Sequence, residues 1–82
     1  MLARVYVTLK KGVLDPQGKA VCHALESLGF DEVRGVRVGK FFEIEIDEAL
    51  SKNPAAIEGR VKEMAEKLLA NLVMENFEIK II

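Results

Sequence analysis

Ala3, Val5, Val7 and Leu9 alternate with Arg4, Tyr6, Thr8 and Lys10, a period of two, partly β-branched, that predicts a first strand. Residues 11–14 read as a loop. Asp15 then offers a carboxylate as N-cap, and Pro16 suits the first helical position, where its missing N–H is harmless. The helix that follows collects Val21, Cys22, Leu25 and Leu28 on one face, with Lys19, His23 and Glu26 opposite. Gly29 stands where a left-handed residue would end it. Residues 33–46 read as a hairpin about Gly39-Lys40, glycine first in a two-residue loop suiting a type II′ turn. In that register Val38 faces Phe41, Val36 faces Glu43 and Arg34 faces Glu45. Val33, Phe42, Ile44 and Ile46 then form the core face. Asn53-Pro54 repeats the cap-and-proline signal. A second helix follows with Ile57, Val61, Met64, Ala65 and Leu68 as its buried stripe. Asn71 is a candidate stop, and Phe77, Ile79 and Ile81 alternate with Glu78 and Lys80 as a last strand.

The predicted order is βαββαβ, an α+β, ferredoxin-like plan: a four-stranded antiparallel sheet with two helices on one face, its first and third strands central. No linker, repeat or low-complexity stretch divides it, so residues 1–82 are expected to form a single domain. On the uncovered face the hairpin register gathers Tyr6, Val36, Val38 and Phe41 into an apolar patch rimmed by charge. Such a patch on so small a sheet points to self-association.

Composition narrows the function. With 82 residues the core is small, and a domain of this size often gains stability from a partner. Twelve basic against thirteen acidic residues, a net charge of −1, lack the footprint of a nucleic-acid binder. One cysteine allows no internal disulfide, and no apolar run is long enough to span a bilayer. The N-terminus alternates like a strand and lacks a signal peptide's apolar run. A cytoplasmic protein is expected.

Sites of chemistry fail one by one. Gly35-Val36-Arg37-Val38-Gly39-Lys40-Phe41 is one residue short of a phosphate loop, with Phe41 where a magnesium-binding hydroxyl belongs. Cys22 and His23 point about 100° apart on a helix and form no nucleophile–base pair. Cys22 reads as a core residue and His23 as a solvated one. The carboxylates Glu43, Glu45, Asp47 and Glu48 read as a solvated or salt-bridged surface, with Arg34 opposite Glu45. No catalytic, cofactor-binding or metal-ligating residue is assigned. Asp15-Pro16-Gln17-Gly18 is the most suggestive local feature, since Gly18 in a first helical turn admits a close backbone approach.

Taken in order, several segments resemble the PurS family: Lys11-Gly12-Val13-Leu14-Asp15-Pro16-Gln17-Gly18 before the first helix and Leu28-Gly29-Phe30 at its end. Val36-Arg37-Val38-Gly39-Lys40 follows at the hairpin, then Leu68-Leu69-Ala70-Asn71 leading to Glu75-Asn76-Phe77. Leu72 stands where members often have proline, and Phe77 where an aromatic hydroxyl is common. The resemblance implies a ferredoxin-like subunit of phosphoribosylformylglycinamidine synthase that self-associates as a homodimer or tetramer. It is implied to join two partners, a PurQ-type glutaminase releasing ammonia from glutamine and a PurL-type synthetase. The synthetase uses ATP and magnesium to install that ammonia on formylglycinamide ribonucleotide. The small subunit is implied to bridge them and to aid ammonia transfer, without a catalytic part. By the same resemblance Asp15, Pro16, Gln17, Gly18, Arg37, Gly39 and Lys40 are the candidate partner contacts. Two other classes share the βαββαβ order. An ACT-like small-molecule-sensing domain would need a ligand loop after the first strand, of which Gly12 is a thin version. An RNA-recognition domain would need more stacking aromatics than Tyr6 and Phe41 and no Glu43 and Glu45 beside them.

Overall fold

A computed structural model describes residues 1–47 and 53–82. Strand β1 (Leu2–Leu9) leads into helix α1 (Pro16–Ser27), strand β2 (Lys40–Glu45), helix α2 (Pro54–Met64) and strand β3 (Glu75–Ile81). A π-helical turn, Ala65–Leu69, continues α2 directly. Glu48, one of the carboxylates of the 43–48 run, lies outside the described residues.

Both expected helix starts form. Asp15 caps α1 through a bond from the Gly18 amide, and Asn53 caps α2 through one from the Ala55 amide, with Pro16 and Pro54 opening the first turns. Gly29 takes φ 97° just past the end of α1, a left-handed conformation that glycine adopts without a Cβ penalty.

Among the described residues the sheet has three strands in the order β2-β1-β3, both pairings antiparallel. It carries one face of apolar alternation: Ala3, Val5 and Val7 are fully buried beneath Ile57, Val61 and Ala65, with Phe77, Ile79 and Ile81 packed alongside. The α+β class with two helices stands, whereas the described residues show three strands instead of four. The expected hairpin is the part that does not form. Residues 33–39 belong to no strand, and Gly39 has no positive φ, which a type II′ turn requires at that position. The chain instead runs straight past the end of β1, with Lys40 opposite Val7 and the Arg37 side chain reaching the carbonyls of Leu9 and Lys10. Strand β2 is consequently an edge strand rather than a central one. Arg34 turns to the Asp31 carbonyl and does not face Glu45, while Glu43 approaches Arg4 at 3.7 Å.

The buried stripe of α2 shifts near its end. Ile57, Val61 and Ala65 are buried as expected, but Leu68 is 84% exposed and Met64 lies at the surface. The π-helical turn inserts one residue into the helical repeat, so Leu69 and Ala70 turn inward in place of Leu68.

Candidate functional site

The conspicuous segments before α1 and before β2 meet at one end of the sheet. The Asp15 carboxylate holds them together: Oδ1 accepts from the Gly18 amide and Oδ2 from the Val38 amide, each at 2.9 Å. One side chain thus caps a helix and ties it to a segment more than twenty residues away. Amide donation from Gly18 and then Val38, reinforced by the positive charge of Arg37, holds the carboxyl below its ordinary pKa despite the opposing effect of desolvation.

Gly18 is the buried residue of α1. A Cβ there would run into the Val36 carbonyl oxygen and the Asp15 carboxylate, so glycine is required by a backbone crossing. Gly39 has the same need for another reason. A Cβ would come 2.6 Å from the Val7 carbonyl oxygen, so this glycine lets the chain pass closely along β1.

Arg37 fastens the crossing from the other side, donating from Nη2 to the carbonyls of Leu9 at 2.9 Å and Lys10 at 3.0 Å. Lys40 reaches Glu75 at 3.6 Å, and Glu75, its side chain only 12% exposed, also accepts from the Asn71 amide at 2.7 Å. Lys40 and Glu75 line a shallow hollow of about 130 Å³ with Leu9, Asp15, Gln17, Val38 and Gly39. The expected contact residues Asp15, Gln17, Gly18, Arg37, Gly39 and Lys40 therefore share one corner, and Pro16 opens the helix beside them. Glu75 is the member that residue-by-residue reasoning did not single out, although Glu75-Asn76-Phe77 carried a signal. This corner can recognise a surface, but it brings no nucleophile and base together. Among the described residues no three of His, Cys, Asp or Glu are grouped to hold a metal ion.

The self-association patch divides. Tyr6 and Phe41 stack on the open face with ring centroids 5.0 Å apart, and the Lys80 ammonium lies 5.7 Å over the Tyr6 ring. Val38 instead lines the hollow with Leu9 and Glu75, and Val36 meets Gly18. The straight run through Gly39 changes the parity that the hairpin would have imposed. His23 is exposed, 4.0 Å from Glu26, and Cys22 is half-buried, because α1 does not lie along the sheet.

Comparison with known proteins bears on the whole chain. The family model described as PurS, phosphoribosylformylglycinamidine (FGAM) synthase, matches residues 2–82. The PurS subunit of that synthase from Bacillus subtilis (strain 168) is 49% identical over 78 residues, covering 95% of this chain and 88% of the relative. The crystal structure of Methanocaldococcus jannaschii PurS, a subunit of formylglycinamide ribonucleotide amidotransferase in purine biosynthesis, is 42% identical. It superposes with a TM-score of 0.84 over 96% of this chain and 92% of that one. A chain in the structure of PurLQS from Thermotoga maritima, 27% identical, superposes with a TM-score of 0.81 over 98% and 96%. These relatives are synthase subunits, which favours that reading over a ligand-sensing domain.

Proposed function

Because this chain belongs to the PurS family, the small subunits of phosphoribosylformylglycinamidine synthase, we propose that it is the non-catalytic subunit joining a PurL-type synthetase to a PurQ-type glutaminase. The observation that carries the reading is likeness over almost the entire chain, to a PurS subunit in sequence and to a chain of the PurLQS structure in fold. The chemistry belongs to the partners: glutamine to the glutaminase, ATP and magnesium to the synthetase. This chain acts as one domain, residues 1–82, and contributes surface. Its corner of Asp15, Pro16, Gln17, Gly18, Arg37, Gly39 and Lys40 serves as the contact with the larger subunits, close enough to their junction to aid ammonia transfer. Two features support that assignment: the corner is cross-tied by hydrogen bonds, and it is built from segments that carry the resemblance to the family.

Self-association as a dimer or tetramer is part of the same reading, with the Tyr6–Phe41 stack as one contact and Val36 and Val38 contributing elsewhere. The four-stranded sheet belongs to that assembled state. No helix among the described residues is long and apolar enough to cross a membrane, and the place of action is the cytoplasm, where purine nucleotides are made. The test is assembly from purified chains. Synthetase and glutaminase are passed over a sizing column with and without this chain under turnover conditions. Co-elution of all three only when this chain is present is expected; co-elution of the other two without it would overturn the bridging role.

A further inference from the structure

A second hollow, of about 350 Å³, shares Leu9 with the one that Lys40 and Glu75 line; its other walls are Thr8, Lys11, Arg37 and Asn76. Small-molecule sites begin at about 300 Å³. The walls follow from the local folding. Thr8 and Asn76 are paired across β1 and β3 and so share one face of the sheet, the open face that also carries Tyr6. Beyond them β1 ends in a turn. The Val13 amide donates to the Lys10 carbonyl at 3.2 Å, and Gly12 takes φ 85° at the third position, as a type II turn requires. Lys11 stands at the corner of that turn. The Lys10 amide donates to the Met74 carbonyl at 2.8 Å, which ties the turn to the start of β3. Arg37 closes the hollow from the segment before β2.

The chemistry of this lining is one-sided. It holds two cations, a hydroxyl and a side-chain amide, and among the described residues no carboxylate lines it. Arg37 commits only Nη2 to the Leu9 and Lys10 carbonyls, which leaves the Nε and Nη1 hydrogens of its fork without an acceptor among the described residues. Lys11 has no ion pair among them either. Elsewhere Arg4, Lys40, Arg60 and Lys67 each lie within 4.0 Å of a carboxylate. Asp15 lines the neighbouring hollow, and each of its oxygens already accepts an amide. Glu78 stands opposite Tyr6, two positions further along the strand. Two uncompensated cations at one concavity favour an anion there.

The donor set selects among anions. A carboxylate brings one charge and two oxygens. A phosphate monoester brings about −1.5 to −2 charge at pH 7 and three acceptor oxygens. Two cations match that charge, the guanidinium fork fits a pair of its oxygens, and Thr8 and Asn76 remain for the third. The volume leaves room for the group that the phosphate esterifies. We infer that this hollow binds a small phosphate monoester of sugar-phosphate size, with Lys11 and Arg37 on the phosphate charge and Thr8 and Asn76 completing its shell. Arg37 also belongs to the proposed contact corner, but binding by the chain alone does not depend on the bridging role.

The experiment is a titration of the 82-residue chain with ribose 5-phosphate at constant ionic strength, followed in proton–nitrogen correlation spectra. Saturating shifts are expected at the amides of Thr8, Lys11, Gly12, Arg37 and Asn76. Ribose alone and acetate, each at the same concentration, should leave those amides unmoved. Lys11→Gln removes a charge that no described protein group uses and should weaken binding about tenfold or more, the worth of one charge-assisted hydrogen bond. Lys62→Gln, exposed on α2, should leave the affinity unchanged. Absence of saturation with ribose 5-phosphate, an equal response to acetate, or a Lys11→Gln protein that binds as tightly as the parent overturns the site. Equal weakening by Lys62→Gln would show attraction to overall charge only, and overturns it as well.

Discussion

Gly18→Ala and Gly59→Ala are the same substitution in two helices, and the structure requires opposite outcomes. Alanine in place of glycine within a helix is worth about 1 kcal/mol from propensity alone. At Gly59 nothing lies within 4 Å of the new Cβ, so that gain is realised in full. At Gly18 the Cβ meets the Val36 backbone carbonyl and the Asp15 carboxylate, and the backbone cannot yield as a flexible side chain would. Overpacking of this kind costs about 1–3 kcal/mol. Displacing residue 36 also pulls the Val38 amide from its acceptor, and an orphaned amide adds about 1–3 kcal/mol. The net expectation is a loss of roughly 1–5 kcal/mol, against a total stability near 4–12 kcal/mol for a chain of this length. Because 1 kcal/mol moves Tm by about 4–8 °C in a domain of this size, Gly59→Ala should melt several degrees above the parent and Gly18→Ala well below it. Circular dichroism melts at one fixed protomer concentration provide the assay, since association would otherwise shift Tm by mass action. A Gly18→Ala protein as stable as the parent would refute the crossing of α1 by residue 36.

The Asp15 carboxyl titrates below its ordinary value when folded, so its contribution is present above about pH 4 and is lost as pH falls from there through the lowered value. The stability difference between the parent and Asp15→Asn should therefore shrink in urea titrations below about pH 4; a difference constant with pH would remove the carboxylate from that role. Cys22→Ser and His23→Ala should leave glutamine-dependent synthesis intact in a reconstituted complex, both with little change in stability because Cys22 is only half-buried and His23 exposed. Abolished turnover in a normal complex would reopen a chemical part for either residue.

Much of the fold was legible because its signals are local. Asp15-Pro16 and Asn53-Pro54 start helices by satisfying first-turn amides with a side chain and a fixed φ, and the alternation of β1 and β3 faces one core. The hairpin was not legible, because glycine serves equally a positive-φ turn and a close backbone pass. Only the Val7 carbonyl beside Gly39 decides between them. Leu68 and Leu69 were likewise ambiguous: a regular 3.6-residue repeat buries the first, and a π-helical turn buries the second. The apolar face of α1 suggested burial, whereas Val21 and Leu28 are exposed. At the site, Asp15, Gly18, Arg37 and Gly39 stood out one by one, while the cross-tie through Val38 depends on two segments meeting in space.

The bridging role itself is tested most directly by a ratio of rates. Arg37→Ala with Lys40→Ala removes two charges from the cross-tied corner and leaves Gly39 in place; unchanged circular dichroism establishes that the fold survives. In a reconstituted synthase, glutamine-dependent synthesis should fall far more than synthesis driven by a high concentration of free ammonia, because ammonia bypasses the coupling between glutaminase and synthetase. Co-elution of the partners should weaken in step. Equal losses of both rates with the complex intact would mean that these residues serve the ligase step directly, and would contradict a subunit that only bridges.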